Sequence, residues 1–239
     1  MKAPDTRPFH FKQFSLYHHR STMKVGTDSV ILGVWTDLCG IKEALDVGTG
    51  CGILPLLLAA RSNLHVEAVE LDQESFEEAK NNFQASPFSN RLTPIQADFN
   101  EFVKQPPKKY DLVISNPPFF INDRKSEKAQ KRQARHTDSL TYEQLIDGTC
   151  RLLNPNGCLS VVLPYREGQQ FIHLAVEKGL ILQGQMLIFP KPCKSPNRMN
   201  IQFGFRSKPV KPEKFVIRNE DGSFTSQYIS FLEDYYVSI

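Results

Sequence analysis

The chain has 239 residues, a formal net charge of +3, 40% hydrophobic residues and 23% charged residues. This size predicts one large globular domain, since domains usually contain roughly 100–200 residues, and the composition excludes collagen-like and fully disordered chains. No apolar run approaches the ~18 residues that a membrane span requires, and the first twenty residues lack the apolar core of a secretory signal. The five cysteines form no C-x-x-C pair, so we expect reduced thiols, no metal site and a cytoplasmic protein.

Basic residues are concentrated in three segments of the chain. Residues 1–24 contain five Lys or Arg against one Asp, residues 124–136 contain six against one Glu, and residues 190–214 contain seven against one Glu. The rest of the chain is acidic. This segregation favours one basic face that binds a polyanion, and the alternative is that the segments are separate solvated loops.

From residue 43 onward, short β-rich runs alternate with helical windows, which predicts a mostly parallel, doubly wound α/β sheet of the Rossmann-like kind. Two consecutive late strands predict an antiparallel strand at the edge of a seven-stranded sheet. We expect residues 1–40 to be an N-terminal extension that packs on a domain of residues 41–239. The predicted strands are residues 43–47, 65–71, 92–96, 110–115, 158–164, 180–189 and 200–205, and the predicted helices are residues 53–60, 73–83, 142–153 and 166–178.

The first predicted strand leads into a turn with three alternating glycines, Gly48, Gly50 and Gly52. Glycines at such a turn allow positive φ angles and a close approach of the backbone to a ligand. Their spacing departs from the G-x-G-x-x-G pyrophosphate fingerprint. Asp46, two residues before the first glycine, would repel a phosphate and favour an ammonium group. The alternative is a tight turn without a ligand.

Two further acids follow the next two strands. Glu70 ends the second strand, where a carboxylate can accept hydrogen bonds from both hydroxyls of a ribose; otherwise it is a solvated strand end. Asp98 follows the third strand, where it can accept a hydrogen bond from an adenine amine or cap a helix. Because the carboxyl ends of consecutive parallel strands share one edge of a sheet, these acids and Asp46 predict a single ligand site.

The fourth predicted strand ends in Ser-Asn-Pro-Pro-Phe, residues 115–119. Two successive prolines fix the backbone and remove donors, so the Asn116 side-chain oxygen and the Pro117 carbonyl can accept both hydrogens of a planar amino group. Phe119 offers a face on which a base can stack. An isolated N-P-P turn is ordinary loop chemistry, but its place after the fourth strand makes it specific.

Together these motifs resemble those of the class I S-adenosylmethionine-dependent methyltransferases that carry a [DNS]-P-P-[FYW] tetrad, over roughly residues 25–190. The resemblance implies S-adenosylmethionine as the cofactor. The implied catalytic residues are Asn116, Pro117, Pro118 and Phe119. The implied cofactor-binding residues are Lys24, Thr27, Asp46, Gly48, Thr49, Gly50, Glu70, Leu71, Asp98, Phe99 and Asn116.

The segment before the glycine turn is similar to that of the bacterial tRNA1(Val) adenine-N(6) methyltransferases. The similar stretches are F-K-Q-F (residues 11–14), M-K-V-G-T-D (residues 23–28) and L-G-V-W (residues 32–35). In that family the segment covers the methionine end of the cofactor, which also implies a contact from Asp28. The implied substrate is the exocyclic amine of adenosine 37 in the anticodon loop of tRNA1(Val). Phe120 departs from the family, where a second Tyr is common.

Two basic stretches near the tetrad predict phosphate contacts with tRNA. Two alternatives remain open: methylation of another amine or amide, such as an rRNA adenine or guanine or a release-factor glutamine, and a noncatalytic RNA-binding relic. We expect a monomer. The predicted RNA-binding residues are Arg124, Lys125, Lys128, Lys131, Arg132, Arg135, Lys191, Lys194 and Arg198.

Overall fold

A computed structural model describes residues 6–106, 108–117 and 140–238. No helix within these residues is long and apolar enough to cross a membrane. The strands are β1 (Phe9–His10), β2 (Ser15–Leu16), β3 (Glu43–Val47), β4 (His65–Glu70), β5 (Leu92–Gln96), β6 (Tyr110–Ser115), β7 (Leu153–Pro164), β8 (Ile181–Phe189), β9 (Arg198–Gly204) and β10 (Glu213–Val216). The helices are α1 (Thr27–Trp35), α2 (Ile53–Arg61), α3 (Gln73–Ala85), α4 (Phe99–Phe102), α5 (Tyr142–Leu152), α6 (Tyr165–Glu177) and α7 (Ser226–Leu232), with a 3₁₀ turn at Ser89–Arg91.

Within the described residues, the main sheet has eight strands in the order β10-β8-β9-β7-β6-β3-β4-β5. Neighbouring strands are parallel, except that β9 is antiparallel to both β7 and β8. The predicted doubly wound, mostly parallel α/β fold is therefore confirmed.

Two details of the predicted sheet were wrong. The described sheet has eight strands rather than seven, because β10 adds a parallel partner to β8. The antiparallel strand β9 is not at the edge, since it lies between β7 and β8. Met199, Ile201 and Phe203 of β9 are fully buried, and an edge strand would leave such side chains less well covered.

Helices cover both faces of the sheet. Helices α1, α2, α3 and α7 contribute to one apolar core, which includes Leu56, Phe83 and Leu232. Helices α4, α5 and α6 contribute to the other core, which includes Phe99 and Phe171. Because both faces are covered, the strand ends are where polar side chains collect beside solvent.

The described N-terminal segment packs against residues from the far end of the chain. Strand β1 pairs antiparallel with β2. Phe11 stacks on Phe14 at a ring distance of 4.7 Å and on Tyr236 at 5.4 Å. The Lys12 N–H donates a hydrogen bond to the Tyr235 carbonyl at 2.8 Å. These contacts close both ends of the described chain onto the same core.

Candidate functional site

Polar side chains collect at the carboxyl ends of β5, β4, β3 and β6, which are neighbours in the sheet. Asp46 is the fourth residue of β3, Glu70 ends β4, Asp98 follows β5 and Asn116 follows β6. Since these strands are parallel, their carboxyl ends share one edge. The structure thus brings the sequence-predicted acids and the predicted amine-binding asparagine to the same edge.

The glycine turn after β3 has positive φ angles at all three glycines: 72° at Gly48, 56° at Gly50 and 86° at Gly52. A β-carbon at Gly48 would meet no heavy atom within 4 Å, whereas one at Gly52 would lie 2.4 Å from the Phe83 ring. Gly48 therefore leaves open space beside the site. Gly52 instead makes room for a core aromatic residue and begins α2.

The carboxylate of Asp46 is fully buried. Neither of its oxygens has a hydrogen-bond partner among the described residues, and neither does the hydroxyl of Thr49. Burial raises the pKa of Asp46 from its ordinary 3.8 to about 7; the nearby Thr49 hydroxyl partly opposes this shift and the Glu70 charge adds to it. A buried carboxylate without a donor is costly, so a ligand that brings a cation or an N–H donor would stabilise this site.

Glu70 is already held by the backbone on both sides. Its Oε2 accepts a hydrogen bond from the Gly50 N–H at 2.8 Å, and its Oε1 accepts one from the Asp72 N–H at 2.9 Å. Burial raises the pKa of Glu70, and these two N–H donors oppose the shift. A carboxylate has about four lone-pair sites, so Glu70 retains capacity for ligand hydroxyls. Beside it, the side chain of Leu71 is 50% exposed, which leaves an apolar surface for a flat ring.

Asp98 and Phe99 have structural roles at the start of α4. The Oδ1 of Asp98 accepts a hydrogen bond from the Asn100 N–H at 2.6 Å, as in the helix-cap alternative. Phe99 is buried, and a β-carbon at Gly148 would lie 2.4 Å from its ring. Gly148 therefore makes room for the Phe99 ring in the core, and the predicted contacts of both residues with adenine stay predictions.

Asn116 is buried, with 7% of its surface exposed. Its Nδ2 donates a hydrogen bond to the Ser29 hydroxyl, in the first turn of α1, at 2.8 Å. Its Oδ1 is buried without a hydrogen-bond partner in the described parts of the chain. Pro117 is also buried. The side-chain oxygen is thus an available acceptor at the end of β6.

Residues 17–24 form a segment, here named the strap, that is anchored to α3. Glu78, which is 2% exposed, accepts hydrogen bonds from the backbone N–H groups of His19 at 3.0 Å, Arg20 at 2.9 Å and Ser21 at 2.8 Å. Asn82 accepts from the Tyr17 N–H at 2.8 Å and donates to the Tyr17 carbonyl at 2.8 Å.

The strap lies against the glycine turn. A β-carbon at Gly50 would lie 3.4 Å from the Ser21 hydroxyl, and the Asn82 Nδ2 also donates to the Cys51 carbonyl at 2.8 Å. Glu78 and Asn82 were not predicted to have a role at this site. The available signal was a pair of polar residues one helical turn apart in α3, and that spacing does not identify the backbone groups that they bind.

The end of the strap and the first turn of α1 carry the predicted residues Lys24 and Thr27, which are both exposed. Asp28 Oδ2 accepts a hydrogen bond from Arg198 Nε at 2.8 Å, and each side chain is less than one-third exposed. This ion pair joins α1 to the start of β9. Arg198 is therefore partly engaged within the protein rather than a free cation.

The basic residues of segment 190–214 are divided between two edges of the sheet. Arg198 pairs in register with Pro164, the last residue of β7, so the loop before it, with Lys191 and Lys194, lies at the edge that carries Asn116. Arg206 follows the other end of β9 and lies at the opposite edge. The basic residues of this segment therefore do not all lie at one edge, and the prediction of one basic face shared by the three segments stays a prediction.

Several predicted residues lie outside the described residues, so nothing is stated of their structure. These residues are Pro118, Phe119, Arg124, Lys125, Lys128, Lys131, Arg132 and Arg135.

Among the residues that the structure describes, no group of three or more His, Cys, Asp or Glu is placed to hold a metal ion.

The donor–acceptor balance of the site fits S-adenosylmethionine. Both oxygens of Asp46, the Thr49 hydroxyl and the Asn116 Oδ1 are buried acceptors that lack partners among the described residues. Native proteins pair most of their buried polar groups, so such a cluster favours a ligand with several donors. The ammonium and hydroxyl groups of S-adenosylmethionine are donors of this kind, and an adenine amine supplies two more.

Comparisons with known proteins give the same family. The family described as "Methyltransferase small domain" matches residues 27–178. A tRNA1(Val) (adenine(37)-N6)-methyltransferase of Bacteroides fragilis (strain YCH46) is 37% identical over 232 residues, covering 97% of this chain and 98% of that protein. The protein of that name from Tolumonas auensis is 38% identical over 231 residues, covering 96% of each.

Solved structures share the fold at low sequence identity. A predicted O-methyltransferase from Agrobacterium tumefaciens has a TM-score of 0.68 and 19% identity, covering 87% of this chain and 96% of that one. The tRNA m1G37 methyltransferase of M. jannaschii has a TM-score of 0.60 and 15% identity, covering 84% and 57%. The family resemblance inferred from the sequence motifs is confirmed. The family match covers more than half of the chain, and the two relatives match nearly all of it. The chain therefore belongs to the methyltransferase small domain family, together with the tRNA1(Val) (adenine(37)-N6)-methyltransferases.

Proposed function

We propose that this protein transfers a methyl group from S-adenosylmethionine to N6 of adenosine 37 in tRNA1(Val). The observation that carries the proposal is the buried Oδ1 of Asn116, which has no hydrogen-bond partner among the described residues and lies at the same sheet edge as Asp46 and Glu70. An acceptor in that place suits an amine that must be activated beside a bound cofactor. The choice of nucleotide and of tRNA follows the names of two relatives that match nearly the whole of this chain.

The cofactor would be held mainly by acceptors. When bound, it would supply an electrophilic methyl group and leave as the thioether S-adenosylhomocysteine. In the proposal, Asp46 binds its ammonium group, and Glu70 accepts from its ribose hydroxyls. The open backbone at Gly48 permits close approach. Exposed Leu71 contacts the adenine ring. The remaining proposed cofactor contacts are Lys24, Thr27, Thr49, Gly50, Asp98, Phe99 and Asn116.

The target amine is a poor nucleophile because its lone pair is delocalised into the adenine ring. Asn116 Oδ1 and the Pro117 carbonyl would accept its two hydrogens, which moves the nitrogen toward tetrahedral geometry and frees the lone pair. The same acceptors stabilise the positive charge that develops on nitrogen during transfer. The methylated ammonium then loses its proton to water, so a strong general base is not required. Pro118 and Phe119 complete the proposed catalytic set, with Phe119 stacking on the base.

The partner in this proposal is tRNA, bound by a cytoplasmic monomer whose residues 1–40 form an extension on the catalytic domain. Lys191 and Lys194 supply phosphate contacts at the edge that carries Asn116. Arg198 supplies another contact there and remains paired with Asp28. Cationic side chains at the rim of such a site bind the RNA backbone and bring a flipped nucleotide to the acceptors. The other proposed contacts are Arg124, Lys125, Lys128, Lys131, Arg132 and Arg135.

The deciding experiment incubates the protein with labelled S-adenosylmethionine and unmodified tRNA1(Val), followed by digestion to nucleosides. We expect the label in N6-methyladenosine, and we expect none when position 37 of the transcript is guanosine. Label that persists in the guanosine-37 transcript would show that the methylated nucleotide is not adenosine 37. Label in rRNA or in a release-factor protein but not in tRNA would overturn the proposal, as would cofactor binding without any transfer.

A further inference from the structure

The two ends of the Asn116 side-chain amide lie in different surroundings. Its Nδ2 donates to the Ser29 hydroxyl at 2.8 Å, while its Oδ1 has no partner in the described parts of the chain. Both residues are buried. We propose that Ser29 is a positioning residue, which fixes this amide so that its oxygen, and not its nitrogen, faces the amine to be methylated. This inference rests on the proposed function and deepens it.

Orientation matters because the two ends of an amide have the same shape and opposite hydrogen-bonding character. A flipped Asn116 would present N–H donors to an amine that also donates, and it would activate nothing. The serine hydroxyl both donates and accepts. Once an amine with two hydrogens is present, only the orientation with Nδ2 on Ser29 satisfies both ends of the amide. The penalty for an unpaired buried group then favours that orientation.

The hydroxyl of Ser29 is itself held in place by the packing of α1. The adjacent residue, Asp28, is joined to Arg198 at 2.8 Å, which fixes the first turn of α1 to β9. The following residues Val30 and Ile31 are fully buried. Because α1 is fastened on both sides of Ser29, the hydroxyl is a preorganised acceptor that costs no rearrangement during the reaction.

The first test compares Ser29→Ala with Ser160→Ala and Ser29→Thr. Ser160 is a matched control because it is fully buried, and its hydroxyl has no partner among the residues described. We expect Ser29→Ala to lower kcat for tRNA methylation roughly tenfold, the loss typical of one hydrogen bond, with unchanged KM for tRNA and unchanged Kd for S-adenosylmethionine. Ser160→Ala should keep the parent kcat, and Ser29→Thr, which retains the hydroxyl, should recover most of the loss.

A second test uses Asn116→Asp as the background. A carboxylate has two equivalent acceptor oxygens, so no orientation remains to be fixed. Ser29→Ala should then lower kcat by less than twofold in this background, whereas a merely structural role would lower it by the same factor in both. Equal losses in the two backgrounds, or the parent kcat in Ser29→Ala alone, would overturn the proposal.

A third measurement does not depend on methylation. The side-chain N–H₂ signals of Asn116, observed by NMR in nitrogen-15-labelled protein without cofactor, should shift and exchange faster with solvent in Ser29→Ala but not in Ser160→Ala. Unchanged signals would show that Ser29 does not hold the Asn116 amide, even if the protein methylates tRNA. If the signals change as expected but the parent protein methylates no amine, the contact stands and the proposed function fails.

Discussion

The Gly50 backbone N–H donates a hydrogen bond of 2.8 Å to Oε2 of Glu70. The bond joins the turn after β3 to the end of β4, so one carboxylate shapes the glycine turn and is also the proposed ligand contact beside it. Asp72 N–H binds the other oxygen at 2.9 Å. Because both oxygens are held by the backbone, the position of Glu70 is fixed before any ligand arrives.

We predict that Glu70→Ala weakens S-adenosylmethionine binding by ~1–3 kcal/mol, the range for lost hydrogen bonds to a charged group. Isothermal titration calorimetry measures this directly. Glu74→Ala is the control, since Glu74 is exposed in the first turn of α3 and should leave the Kd unchanged. An unchanged Kd in Glu70→Ala would remove Glu70 from the cofactor site.

Asp46 should make the ligand-free protein less stable as the pH rises. Its pKa is raised from 3.8 to about 7 in the folded protein, so between about pH 4 and pH 7 the folded state holds a proton that the unfolded state has lost. The stability gained from this proton is complete below pH 4 and is lost as the pH rises through 7. The full loss is on the order of 4 kcal/mol.

Thermal denaturation of the parent protein and Asp46→Asn from pH 4 to pH 8 tests this prediction. We expect Asp46→Asn to be the more stable protein at pH 8, with the difference vanishing near pH 4. Saturating cofactor should raise the melting temperature of the parent more between pH 7 and pH 8 than near pH 4, because its ammonium group then faces an ionised carboxylate. A constant difference between the two proteins at every pH would contradict the prediction.

Asn116→Ala should separate catalysis from cofactor binding. We predict that turnover falls by ~10²–10³, as for the loss of one preorganised polar group, because the amine loses one of its two acceptors. The Kd for S-adenosylmethionine, measured by calorimetry, should rise by no more than about tenfold, the loss of one hydrogen bond, because Asn116 is only one of the proposed cofactor contacts. Methylation of tRNA at the parent rate would show that the amine is activated in another way.

The regular spacing of the sequence was enough to predict which acids share an edge. Asp46, Glu70 and Asp98 each follow an apolar run of strand length, and parallel strands bring their carboxyl ends together. The position of β9 was not predictable in this way. The apolar pattern after β8 predicts a further strand, but it does not predict which strands lie beside it. The insertion of β9 between β7 and β8 depends on which faces of the strands become buried. The order of strands is therefore a property of the packed sheet.

The anchoring of the strap to α3 could not be predicted from the sequence for a different reason. Glu78 binds backbone groups 57 to 59 residues away, and backbone N–H groups carry no sequence signature. A charged residue in a polar helix such as α3 is normally solvated. Nothing in the spacing of α3 separates Glu78 from its exposed neighbours, so its role emerges only from the fold.

Glu78→Ala should release the strap from α3. We predict that amide hydrogen exchange at His19, Arg20 and Ser21 becomes roughly tenfold faster or more, because three hydrogen bonds to a charged group are lost. Hydrogen exchange resolved by NMR provides the measurement. Glu77→Ala is the matched control, since Glu77 makes an ion pair of 3.8 Å with Lys80 on the more exposed side of α3. Equal protection in both variants would mean that the strap is held by other contacts.

The two ends of β9 provide a test of the RNA-binding edge. We predict that replacing Lys191 and Lys194 by alanine reduces the slope of log Kobs against log salt for tRNA binding by roughly 1–2, following counterion release. Replacing Arg206 and Lys208, which are exposed beyond the opposite end of β9, should leave the slope unchanged. Filter binding at several salt concentrations measures both. Equal reductions would indicate that tRNA contacts both edges.

The stacking of Phe11 on Tyr236 makes the burial of the N-terminal segment depend on residues from the far end of the described chain. Phe11 and Phe14 are buried in the native protein, but the Tyr235 carbonyl and the Tyr236 ring that hold this segment are made more than two hundred residues later. Until then, Phe11 has its stacked neighbour Phe14 but lacks its stacked neighbour Tyr236. A chain that lacks residue 235 onward should therefore leave Phe11 more exposed and be less stable than the full chain.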